Sequence, residues 1–160
     1  MDPQAKKSVL RQISYGLYAV TASHDGERGI FTANWLSQAS FEPPLVMLSV
    51  ELESSTLPLI RASGLFTLCP LGENQRDLAG TLGRPKARAG DKFLQLEGDV
   101  TVTGTGTPAL SDALGYVVCQ MRWEMPAGDS VVLLGEVIEA RVLAEGAPLT
   151  MAAAGFRHAG

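Results

Sequence analysis

The stretch from Gly29 to Val50, GIFTANWLSQASFEPPLVMLSV, constrains the fold of this chain more than any other. Its ends are rich in apolar and β-branched residues, the pattern of buried strands, while its middle is polar and reads as a turn. Pro43 and Pro44 force an extended entry into the second strand, because the residue before a proline is pushed out of the helical region. The next segment, ELESSTLPLI, opens a helix on Ser54, Ser55 and Thr56, with Pro58 in the first turn, where a proline is tolerated.

The same punctuation recurs along the chain. Tyr15 to Ala22 is rich in strand formers, and Asp25-Gly26 marks the tip of a hairpin. Strands are expected at 29–34, 45–51, 65–69, 93–97 and 99–103. Two long ones follow at 114–125 and 131–144, joined at Ala127-Gly128-Asp129. Helices are short, at 4–13, 57–62 and 73–82. Many strands with tight turns predict a mostly β fold with short helices, an antiparallel barrel and not a doubly wound sheet. No break in composition divides residues 1–160, so a single domain is expected.

Composition narrows the function. Hydrophobic residues make up 46% and the formal net charge is -4, an ordinary globular balance that argues against a nucleic-acid or anionic-membrane partner. The basic run Arg84 to Lys92 is a local exception. Neither a membrane-length apolar run nor a signal-peptide core stands in the sequence, so a cytoplasmic protein is expected. Cys69 and Cys119 lie far apart in apolar runs and read as reduced core thiols, with no metal-ligand spacing. Gly104–Thr107 (GTGT) lacks the third glycine of a dinucleotide fingerprint, since Ala109 stands there, and is read as a turn.

Acid–base machinery is sparse. His24 falls in the hairpin turn and His158 in the tail FRHAG. A chain with few such groups suits chemistry carried by a cofactor, with the protein supplying binding and orientation. The start of the 57–62 helix offers amide N–H groups, hydroxyls and a favourable dipole to a phosphate, although the same Ser and Thr residues also serve as ordinary caps. Beside it, Thr32-Ala33-Asn34-Trp35 presents small and hydrogen-bonding residues to a flat ring. Together they suggest flavin mononucleotide. A pyridoxal phosphate or haem site is the weaker alternative.

These residues carry a resemblance. TANWLSQASFEPPLVMLSVE, SSTLPLI, FTLCPLGENQRDLAGTLGR, AGDKF, GTPALSDALGYVVCQM, GDSVVLLGEVIEARVL and GFRHAG together resemble the flavin reductase-like family of FMN-binding split barrels, over essentially the whole chain. The resemblance implies a homodimeric six-stranded split barrel with FMN, or FAD, near the subunit interface. It implies hydride transfer from NADH or NADPH to the flavin and a downstream acceptor such as a monooxygenase. Thr32, Ala33, Asn34 and Trp35 would line the ring, with Gln38 and Ser40 continuing that wall. Ser54, Ser55 and Thr56 would hold the ribityl phosphate. Arg84 and Lys92 would meet the phosphate or a nicotinamide nucleotide, and Phe156, Arg157 and His158 would form the nicotinamide side. No side chain is assigned a catalytic role and no metal is expected. A non-catalytic FMN electron carrier is the competing reading. Two positions depart from the family pattern. Trp35 replaces a small residue, to stack near the flavin or pack at the interface, and Ser130 stands where relatives often have His.

Overall fold

The computed structural model describes residues 1–96 and 99–157. Among them run β1 (Tyr18–His24), β2 (Glu27–Ala33), β3 (Leu36–Ser40), β4 (Leu45–Glu51), β5 (Leu65–Pro70), β6 (Val100–Val102), β7 (Pro108–Leu110), β8 (Gly115–Ala127) and β9 (Ser130–Val142). The helices are α1 (Pro3–Leu10), α2 (Leu57–Ser63), α3 (Arg76–Leu82), α4 (Lys86–Ala89) and α5 (Met151–Ala154), with a 3-10 turn at Lys92–Leu96. The mostly β expectation holds. The strand count differs from six: seven strands form one sheet, ordered β2-β1-β5-β8-β9-β4-β3, and β6 and β7 form a separate ribbon.

Every pairing in the large sheet is antiparallel. Its two outer strands, β2 and β3, are consecutive in the chain, separated only by Asn34 and Trp35. A sheet whose edges are joined by so short a link must curl until those edges meet. The chain itself joins those edges in a seam, and Ser49 N–H donates to the Trp35 carbonyl at 2.9 Å, carrying the β3–β4 ladder one residue past Leu36 into the link. Asn34 and Trp35 therefore sit where the curled sheet is split.

Both sheet faces are buried around the central strands, as alternation along β1 makes plain. Ala19 belongs to one core with Leu71, Leu82, Phe93, Val118 and Leu149, while Val20 and Ala22 belong to the other with Leu48, Ile60, Phe66 and Leu133. Such two-sided burial explains the near-continuous apolar runs of the sequence. Inside the curl, Gly135 leaves room for an aromatic ring: a Cβ there would lie 2.5 Å from the Phe66 Cζ.

Local expectations fared unevenly. The Asp25-Gly26 hairpin forms with both residues at positive φ, 48° and 81°, as its tight turn demands. The polar turn between the strands of the 29–50 stretch contains an extra strand, β3, and residues 93–96 form part of the 3-10 turn instead of a strand. α1 stops at Leu10, and its apolar Val9 lies exposed.

Candidate functional site

The seam opens into a cleft of about 1000 Å³. Thr32, Ala33, Asn34 and Trp35 line one side, Ser54, Ser55 and Thr56 another, and Arg84, Lys92, Phe156 and Arg157 complete it. Eleven positions named from sequence thus converge. Gln38 and Ser40 do not line the cleft: they lie on edge strand β3, where the exposed Gln38 side chain donates to the Ser40 carbonyl at 3.2 Å. His158 lies outside the described residues.

Asn34 is the most telling of these groups. Its Nδ2 is buried and finds no hydrogen-bond partner among the described residues. A buried amide N–H left unpaired costs about 1–3 kcal/mol, so such an atom is a donor waiting for an acceptor. Thr32 is the complement. Its hydroxyl donates to the Ala79 carbonyl at 2.6 Å, which spends its only proton and leaves the oxygen free to accept. One cleft wall therefore offers a donor at Asn34 and an acceptor at Thr32, a pair matched to a planar group carrying both a carbonyl and a ring N–H.

At the start of α2, the N-cap hydroxyl does not cap the helix. Thr56 occupies the N-cap position, yet its side chain makes no capping bond. It is buried, 2% exposed, because Gly29 on β2 has no Cβ; one there would lie 2.6 Å from Thr56 Oγ1. Ser54 Oγ accepts a long bond from Thr56 N–H at 3.4 Å, and Ser55 is exposed.

Cations gather on the cleft in a chain of net negative charge. Arg84, Lys86 and Arg157 are exposed there, while Glu51 and Glu53 line it as well. Lys92 is different: it is 7% exposed, and its ammonium donates to the Ile30 and Leu82 carbonyls. Desolvation by burial lowers its pKa from the ordinary lysine value. Sequence reasoning missed Lys86, Glu51, Glu53 and Met151 as lining residues. Lys86 was signalled by the basic run; Met151 carried no signal, since only the fold returns the tail to the seam.

The tail is fixed at this edge. Arg76 Nε donates to the Ala154 carbonyl at 2.8 Å, and its guanidinium lies 5.3 Å from the centre of the Phe156 ring. Ser130 is buried and donates to Asp129 Oδ1 at 3.0 Å. Neither cysteine takes part. Burial pushes each thiol up to about 12, and both are free. Among the described residues no cluster of His, Cys, Asp or Glu could hold a metal ion, and no helix is long and apolar enough to cross a membrane.

Residues 10–160 match the family described as "Flavin reductase like domain". The chain belongs to that family. Among flavin reductase-like relatives, the reductase component of 4-nitrophenol 4-monooxygenase/4-nitrocatechol 2-monooxygenase from Rhodococcus opacus is 30% identical over 158 residues, covering 99% of this chain and 82% of that one. A Rhizobium meliloti protein named "Probable flavin reductase" is 31% identical over 137 residues; the match covers 85% of this chain and 42% of that longer protein. Among solved structures, nitrilotriacetate monooxygenase component B from Mycobacterium thermoresistibile is similar with a TM-score of 0.83 at 27% identity, covering 93% of this chain and 82% of the other.

Proposed function

We propose that this chain is an NAD(P)H-dependent flavin reductase that binds FMN in the seam cleft. The observation that carries the reading is the buried, unpartnered Asn34 Nδ2 beside the proton-spent Thr32 hydroxyl. The edge of an isoalloxazine ring, where a ring N–H is flanked by carbonyls, satisfies both groups at once. The Ser54–Thr56 hydroxyls, helped by Arg84, are assigned to the phosphate, and Trp35 to the ring or the subunit contact.

Flavin, when bound, supplies the capacity to accept a hydride. The chain's own residues have three tasks. Asn34 and Thr32 orient the ring; Ala33 and the half-buried Trp35 crowd water away from it; Phe156 and Arg157 border the side assigned to the nicotinamide. Positioning two rings for reaction lowers the barrier without any side chain transferring a proton in the hydride step.

A second copy of the chain is part of the proposal. On the sheet face away from the interior, Trp123 pairs with Leu134, which pairs with Met47; Met125 pairs with Val132, which pairs with Ser49. Trp123, Met125 and Met47 are 61%, 60% and 42% exposed, an apolar stripe of the kind that marks an interface. Ser49 also lines the cleft, so the stripe runs into the site. The relationship to a monooxygenase reductase component supports a downstream monooxygenase that takes the reduced flavin.

Anaerobic mixing of the FMN-loaded protein with NADH or NADPH tests the reading. Rapid bleaching of the flavin absorbance by at least one nicotinamide is expected. Bleaching by neither, with FMN still bound, leaves an electron carrier and removes the reductase.

A further inference from the structure

Lys92 is a buried lysine with no anion beside it among the described residues. Its ammonium donates to the Ile30 carbonyl on β2 at 3.2 Å and to the carbonyl of Leu82, the last residue of α3; no carboxylate pairs with it among the described residues. The final carbonyls of a helix lack intrahelical partners and favour positive charge. α3 supplies neither remedy itself. Its last turn holds no basic residue, and Gly83 after it stays right-handed instead of making a left-handed cap. Lys92 brings the charge from outside the helix and spans to β2 in the same gesture. Nearby, the Thr32 hydroxyl ties β2 to Ala79 of the same helical turn.

We infer that Lys92 is a positioning residue that pins the last turn of α3 to β2, and so fixes the cleft wall of Leu82, Gly83 and Arg84, and is not a donor to a bound phosphate. Two of its ammonium protons are committed to carbonyls. Burial takes the ammonium away from solvent and lowers its pKa, and the two carbonyls offset part of that cost. This inference deepens the flavin-binding reading and rests on it for the ligand titrations, but not for the exchange measurement.

The test uses the full chain carrying Lys92→Met or Lys92→Arg, titrated with riboflavin and with FMN, and hydrogen exchange of the flavin-free protein. Riboflavin has no phosphate. Lys92→Met should weaken riboflavin about fivefold to tenfold, the scale of one hydrogen bond's net contribution, and FMN at least as much. The Gly83 and Arg84 amides, bonded to the Ala79 and Thr81 carbonyls, should exchange about tenfold faster while β8 and β9 amides keep their rates. Lys92→Arg, which keeps charged donors, should restore most of both. Weakened FMN with unchanged riboflavin makes Lys92 a phosphate ligand and overturns the inference, as does unchanged exchange at Gly83 and Arg84. If the native chain binds neither flavin while Lys92→Met still speeds that local exchange, the pin stands and the flavin reading falls. Should Lys92→Met fail to fold, Lys92→Gln, which keeps an amide donor, carries the same comparisons.

Discussion

Replacing Asn34 with leucine should move stability and binding in opposite directions. In the flavin-free protein the buried Nδ2 has no partner among the described residues, so its burial is a standing cost of about 1–3 kcal/mol. Leucine has nearly the same size and no proton to desolvate. Part of that cost should be recovered, so the flavin-free variant should be as stable as the native chain or up to about 2 kcal/mol more stable. In a chain this long, each kcal/mol moves the melting temperature by about 2–4 °C. In the complex the sign reverses, because a ring carbonyl loses its donor and stays buried. An unpaired acceptor costs about 1–3 kcal/mol, which raises the FMN dissociation constant about 5- to 150-fold. The assay is paired: thermal unfolding without ligand, and fluorescence titration with FMN. A variant that melts lower without ligand and binds FMN as the native chain does would refute the assignment of Asn34 as a ligand donor.

Other expectations follow from packing and charge. Gly29→Ala places a Cβ 2.6 Å from Thr56 Oγ1 and should lower stability by about 1–3 kcal/mol in thermal melts, with partial recovery when Thr56→Ala is added. Trp123→Glu should convert a dimer to a monomer in sedimentation equilibrium and weaken FMN, because the apolar stripe reaches the cleft through Ser49; a native chain that sediments as a monomer would remove the second copy from the site. Cys69 and Cys119, with thiols pushed up to about 12, should resist alkylation at pH 8 in the folded protein and react together on unfolding. Changing both Ser54 and Ser55 to alanine should weaken FMN much more than riboflavin in parallel titrations; equal weakening would assign those hydroxyls to the backbone.

Features set by local chemistry were legible in the sequence. The β8–β9 hairpin announced itself by two long β-rich runs around Gly128, and the β1–β2 turn by Asp25-Gly26. What depended on a distant partner was not. β3, with Leu36 as its one large apolar residue, is a strand because β4 offers it a ladder, a fact that Ser37, Gln38 and Ser40 do not encode. KFLQL has strand-like composition, yet the fold buries Lys92, Phe93 and Leu96 on one side of a 3-10 turn. The lining of the cleft was legible as a set of residues, and what those residues do for one another was not. Thr32 was chosen for its hydroxyl, but Ala79, 47 residues away, takes the proton and turns the group from donor to acceptor. Lys92 was chosen for its charge, but carbonyls 62 and 10 residues away hold it inside the wall. The family resemblance placed Gln38 and Ser40 in a turn continuing the cleft wall, but they lie on edge strand β3 and do not line the cleft.

The most direct test of the flavin site is a crystal structure of the chain grown with excess FMN. The account predicts the ring in the seam, with a ring carbonyl within hydrogen-bonding distance of Asn34 Nδ2 and a ring N–H facing Thr32 Oγ1. Flavin seated elsewhere, with Asn34 Nδ2 untouched, would contradict it.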